Sequence, residues 1–136
     1  MSSEQNLATV QGIYEAFGKG DVPGLLGALA DDVAWEQWSD NSAQKAGVPW
    51  FAERTGPDGA AEFFAAVGAW EIHEFAVLSM MAGGDQVAVE IVMDATPAGG
   101  SRYRDEEIHL WTFGDDGKVT RLRHYTDTAK HIAAAG

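Results

Sequence analysis

Apolar positions along this chain change their period once, near Trp70, and the change divides it into a helical half and a stranded half. Leu7, Val10, Ile13, Tyr14 and Phe17 recur at three- and four-residue steps, so residues 4 to 18 read as an amphipathic helix with one buried stripe. Ser2 with Gln5 forms a capping box, and Gly18 and Gly20 stop the helix. Asp21 reads as the N-cap of a second short helix, with Pro23 in its first turn and Leu25, Leu26 and Leu29 facing inward. A short strand over 33–38 follows, with Trp35 and Gln37 on one face and Glu36 and Trp38 on the other. Residues 39 to 47 are small and polar and read as a loop without regular structure. It ends at Val48-Pro49-Trp50-Phe51, whose two aromatics either close over a pocket mouth or dock onto the core. Gly56-Pro57-Asp58-Gly59 opens a third helix, packed through Ala61, Phe64, Ala65 and Val67 or Gly68.

Beyond Trp70 the period is two. Residues 72–81, 86–96, 102–113 and 119–125 are four strands separated by short Gly-rich connections, which implies consecutive antiparallel pairing. Asp127 caps a last helical turn through Ile132, and the Ala-rich end frays. Helices first and a meander afterwards define an α+β fold: a cone-shaped barrel of curved, mainly antiparallel sheet wrapped around the N-terminal helices. The outer sheet face would then carry Ile108 and Leu110, which predicts a homodimer through that face.

Composition narrows the partners. The 136 residues read as one domain, 1–136, long enough for a core plus a cavity. A net charge of −12 with no basic run excludes nucleic acid and anionic lipid as partners. The absence of Cys removes disulfides, thiolate catalysis and Cys-ligated metals. With no apolar run near the roughly 18 residues that span a bilayer, the expectation is a cytoplasmic protein with no membrane partner.

Candidate chemistry concentrates on one strand face, where Asp105, Glu107, His109, Trp111 and Phe113 alternate. A solvated face would not carry Trp111 and Phe113, and a plain core would not carry Glu107 and His109, so a partly dry pocket for a small hydrophobic or aromatic molecule is expected. His109 is the candidate acid-base group and Glu107 its orienting partner, against a structural His-Glu pair that only satisfies itself. Tyr14 or His124 would hydrogen-bond a developing oxyanion. Trp35, Gln37, Trp50, Phe64, Trp111 and Leu122 are the candidate substrate-binding residues. His73 and His131 stand apart without a ligand motif, and neither a metal nor a cofactor is expected.

Several stretches carry a family resemblance: Gly20-Asp21, Leu29-Ala30-Asp31-Asp32-Val33, Gly56-Pro57-Asp58-Gly59, Ile108-His109-Leu110-Trp111-Thr112-Phe113 with Gly117-Lys118-Val119, and Arg123-His124-Tyr125-Thr126-Asp127-Thr128. Over nearly its whole length the chain resembles the nuclear-transport-factor-2-like superfamily, and within it the SnoaL-like group that is similar to ketosteroid isomerases. That resemblance implies the cone fold strongly and a reaction weakly, because the fold hosts isomerases, cyclases, dehydratases and non-catalytic binding or dimerisation modules. The isomerases' first-strand base matches Gln37, which cannot take a proton; Glu36 beside it is an acid able to replace it. Their oxyanion donor matches His109, and their first-helix Tyr falls nearest Ile13, with Tyr14 one residue off. SnoaL-like cyclases imply acid-base groups on the last two strands, at Glu107, His109 and His124. The Arg and two Asp of limonene-type epoxide hydrolases are not rebuilt, since Arg102 and Arg104 lie on the face opposite Asp105 and Glu107.

Overall fold

The computed structural model describes residues 2–36, 38 and 40–136. Helix α1, Ser3–Gly18, begins at the expected capping box: Ser2 Oγ accepts the Gln5 backbone N–H at 3.1 Å, and Gln5 Oε1 accepts that of Ser2 at 2.9 Å. Helix α2, Val22–Leu26, is capped by the Asp21 side chain on Gly24 N–H. Strand β1, Leu29–Trp35, leads into helix α3, Ser42–Lys45, the 3-10 turn Pro49–Phe51, and the two-residue strand β2, Arg54–Thr55. Helix α4, Gly56–Gly68, precedes the strands β3, Glu71–Gly83, β4, Gln86–Thr96, β5, Tyr103–Phe113, and β6, Val119–Tyr125; helix α5, Thr128–Ala135, closes the chain.

The strands form one six-stranded sheet in the order β2-β1-β6-β5-β4-β3, antiparallel except for the parallel β1–β6 pair. The long strands pair consecutively, as the short connections predict. The sheet is curved but not closed, because β2 and β3 are its two edges; the expected barrel is an open cone. Its concave face buries Val87, Val89, Ile91, Trp111, Phe113 and Leu122 against Val10 and Ile13 of α1 and Ala60 of α4. No helix among the described residues is long and apolar enough to cross a membrane.

Four local expectations are corrected. The loop over 39–47 contains α3, whose Asn41 cap accepts Gln44 N–H at 2.9 Å; of the two alternatives for Trp50 and Phe51, docking onto the core is the one found. Helix α4 packs through Gly56, Gly59, Ala60 and Val67, whereas Ala65 faces solvent. The C-terminal helix runs past Ile132, and its end is docked: Ala134 is buried and its carbonyl accepts Ser101 N–H at 2.8 Å. A Cβ at Gly100 would stand 2.4 Å from that carbonyl, so only glycine allows the approach. Finally, β1 stops at Trp35, and Glu36 has a left-handed backbone at φ 61°. That turn breaks the strict alternation, so Glu36 is buried together with Trp35 rather than opposite it. Gln37, the expected neighbour of Trp35 on its face, lies outside the described residues.

Candidate functional site

A cavity of about 70 Å³ opens between α1, α4, α5 and the concave sheet face, several times the roughly 15 Å³ that a single water needs. Tyr14, Trp35, Trp50, Phe64, Glu107, His109, Trp111, Leu122 and His124 all line it. The geometry thus brings together every described candidate catalytic and substrate-binding residue. Glu36, the acid beside the family base position, joins them, and Phe63, Phe75, Tyr103 and His131 are added.

The β5 alternation delivers Asp105, Glu107, His109 and Trp111 to the interior, each less than a tenth exposed. His109 is engaged at both ring nitrogens: Nδ1 lies 2.7 Å from the Tyr14 hydroxyl and Nε2 lies 3.2 Å from Glu107 Oε1. Trp111 Nε1–H donates to the same Tyr14 oxygen at 3.1 Å, its ring standing edge-on at 89° to that of Tyr14. Neither His109 nitrogen is therefore free in this arrangement. Burial raises the Tyr14 pKa, against the lowering effect of the Trp111 N–H, so Tyr14 stays a neutral O–H.

Glu107 is held from both sides. Its Oε2 lies 3.1 Å from His131 Nε2, which also lies 2.9 Å from Asp105 Oδ2. Burial alone would push the Glu107 carboxyl up, but its bonds to His109 and His131 outweigh that and hold it at about 2. For His131, burial lowers the pKa and the two carboxylates raise it; the balance is a raised value. Yet Trp50 Nε1–H donates to His131 Nδ1 at 2.9 Å, so a second ring proton finds its place already taken by a donor.

Asp105, Glu107 and His131 also have the composition of a metal triad, with ligand atoms within 4.8 Å of one another. A metal on Nε2 needs a neutral imidazole whose proton sits on Nδ1 and points to an acceptor. Here Nδ1 faces an indole N–H, which can only donate. The triad suits a proton at Nε2, not a metal ion.

His124, on β6, is packed against His109 with ring centroids 4.3 Å apart, and its Nδ1 contacts Glu36 Oε1. Beyond that contact neither Glu36 oxygen has a partner among the described residues, and the Trp35 indole N–H and the Thr126 hydroxyl in the same cavity wall are also unpartnered. Burial lowers the His124 pKa to about 3, so this imidazole is neutral. Sequence reasoning missed His131 because nothing in its own helix marks it; only the docking of α5 carries it under β5. Glu36 was visible as an acid beside the family base position, but its inward direction depends on one backbone angle.

A cavity-bearing open cone of this kind defines a pocket protein of the nuclear-transport-factor-2-like type. The SnoaL-like domain family model matches residues 10–122, and the chain belongs to that family. Among solved structures, it is 28% identical to an NTF2-like protein of unknown function from Burkholderia pseudomallei K96243, with TM-score 0.79 over 99% of this chain and 98% of that one. It is 26% identical to TerC co-crystallised with polyporic acid, with TM-score 0.73 over 92% and 93% of the two chains. An NTF2-like protein from Burkholderia xenovorans LB400, 24% identical with TM-score 0.78 over 100% and 99%, shares the fold. A comparison with curated proteins finds no match.

Proposed function

We propose that this chain is a cofactor-independent acid-base enzyme that moves a proton on a hydrophobic, ring-containing metabolite, as isomerases, cyclases and dehydratases do. The observation that carries this reading is the Glu36 carboxyl, buried in a largely aromatic cavity with no hydrogen-bond donor beside it but His124 among the described residues. A carboxylate so poorly solvated is a strong proton acceptor. Glu36 with His124 takes the proton from carbon, and Tyr14, backed by His109 and Trp111, donates to the oxygen on which charge develops. In the unliganded site the single Tyr14 proton points to His109 Nδ1; an anionic oxygen is the stronger acceptor and takes that bond. Glu107 orients His109. Trp35, Trp50, Phe64, Trp111 and Leu122 wall the ring, and the unpartnered Trp35 N–H and Thr126 hydroxyl favour a ligand with polar substituents. The co-crystallisation of TerC with polyporic acid supports a small-molecule occupant.

The test is hydrogen exchange at the acidic α-carbon of 2-tetralone in D₂O, followed by proton NMR and corrected for the buffer rate. Wild-type protein accelerates exchange; Glu36→Gln and His109→Ala bring it to the buffer rate while the fold persists. Equal acceleration by wild type and both variants overturns the assignment.

A second reading, a non-catalytic binding module, is favoured by one observation: both His109 nitrogens are already occupied within the protein. Under it, 2-tetralone quenches the cavity tryptophans with no exchange. On either reading we propose a homodimer through the outer sheet face around Ile108 and Leu110.

A further inference from the structure

The hydrogen bonds around Glu107 form one chain whose two ends are both indoles. It runs from Trp50 Nε1 to His131 Nδ1 at 2.9 Å, from His131 Nε2 to Glu107 Oε2 at 3.1 Å, and from Glu107 Oε1 to His109 Nε2 at 3.2 Å. It continues from His109 Nδ1 to the Tyr14 hydroxyl at 2.7 Å and ends at Trp111 Nε1, 3.1 Å away. An indole N–H donates and never accepts. Starting from Trp50, His131 Nδ1 must accept, so its proton is on Nε2 and is given to Glu107, with Asp105 Oδ2 sharing it at 2.9 Å. Starting from Trp111, the Tyr14 oxygen accepts, so its own proton goes to His109 Nδ1, and the His109 proton on Nε2 goes to Glu107. Both directions converge on Glu107, which is the one member that need carry no proton.

We propose that Trp50 and Trp111 are positioning residues at the two ends: Trp50 fixes the tautomer of His131, Trp111 fixes through the Tyr14 hydroxyl the tautomer of His109 and the direction of the Tyr14 proton, and both Nε2 protons end on the Glu107 carboxylate. This rests on the acid-base reading for its purpose, since a locked relay presents His109 Nδ1, and no other nitrogen, as the end that exchanges protons with Tyr14. It does not rest on that reading for its existence. Asp105 serves as the anchor of the outer end, taking the Asp127 backbone N–H at 3.2 Å as well as the His131 proton. Asp105, Glu107, His109 and His131 are each less than a tenth exposed, which limits competition from bulk water for their protons.

Both imidazoles of the relay are enclosed by groups from several elements. His109 meets Tyr14 from α1, Glu107 on its own strand, and the neutral His124 from β6 with Glu36 behind it. His131 meets Asp105, Glu107 and the Tyr103 ring, centroid 4.6 Å away. With a fixed indole donor at each end, loss of His131 leaves the His109 tautomer set by Trp111 and Tyr14.

Imidazole nitrogen NMR on the unliganded protein reads this without any substrate, so its failure is separate from a failure to catalyse. In wild type at pH 7, His131 and His109 each carry a proton on Nε2 and none on Nδ1. In His131→Phe the His109 proton stays on Nε2, because the Trp111 end still fixes it through Tyr14. If His131→Phe does not fold, Trp50→Phe keeps an aromatic ring but frees Nδ1, and His131 then takes a second proton at pH 7. A doubly protonated His131 in wild type overturns the proposal. So does a His109 proton on Nδ1 in wild type or in folded His131→Phe, or an unchanged His131 in Trp50→Phe.

Discussion

Glu36 and His124 meet in the cavity wall through carboxylate Oε1 and imidazole Nδ1, and Glu36 reaches that contact only because its backbone is left-handed at φ 61°. For a non-glycine residue such a conformation is uncommon, and it costs of order 1 kcal/mol. The buried carboxyl adds a desolvation cost that His124, as a neutral ring, offsets only in part. Two unfavourable features at one residue in the wall of a cavity are the pattern of a site kept for chemistry.

Glu36→Gln tests that trade. The side chain keeps its volume and its reach to His124 but can no longer be charged. Thermal unfolding should show the variant more stable than wild type, by about 1 kcal/mol or more, while 2-tetralone exchange falls to the buffer rate. A lower melting temperature would mean that the Glu36–His124 pair is a structural bond.

Acid should unfold the protein in two overlapping steps. His124, depressed from 6.5 to about 3, stays neutral in the folded chain, so stability begins to fall below pH 6.5, where only the unfolded chain binds this proton, and the loss is complete near 3. Glu107, depressed from 4.5 to about 2, contributes stability that is present above 4.5 and lost as pH falls to about 2, about 3 kcal/mol in all. The slope is steepest where both act, between about 4.5 and 3. Urea titrations across this range should show His124→Gln flattening the curve above pH 4.5 and Glu107→Gln flattening it below; coincident curves for wild type and His124→Gln would contradict the assignment.

Tyr14→Phe keeps the ring contacts to Phe75, His109 and Trp111 but strands the Trp111 N–H and leaves His109 Nδ1 without its donor. The expected cost is about 1–3 kcal/mol of stability, from the buried groups left unpaired. Exchange of 2-tetralone should fall about 10²-fold, as when one oxyanion donor is removed. A variant that loses stability but keeps its exchange rate would make Tyr14 a structural residue.

What the sequence reveals of this site follows from how local each placement is. The β5 face was readable because alternation needs only neighbouring residues, and Asp105, Glu107, His109 and Trp111 turned inward together. Tyr14 was readable because it lies on the apolar stripe of α1, though its bond to His109 joins residues 95 positions apart. Glu36 defeated the same alternation rule, since one positive φ moved it across the strand. His131 was out of reach for another reason. Its helix had to be seen docked, with Ala134 bonded to Ser101, before its ring could be placed under Glu107. The open edges at β2 and β3 likewise depend on which strands pair at long range, and so the cone was predicted but not its gap.

Leu110 offers the last test, on the convex side. It stands on β5 between Ala88 of β4 and Arg123 of β6, on the face opposite His109 and Trp111, and is half-buried in the isolated chain. A change there leaves the cavity wall untouched, so assembly and site can be perturbed separately. If a second copy covers this face, burial of Leu110 contributes roughly 1.5–3 kcal/mol from each subunit, and a two-fold interface counts it twice. Leu110→Asp places a charge there instead and should convert a dimer to monomers in sedimentation velocity at micromolar concentration, with the imidazole signals of His109 and His131 unmoved. A wild-type monomer, or a variant that remains dimeric, would remove this face from the assembly and direct attention to the exposed Leu78 and Met81 on the β3 edge.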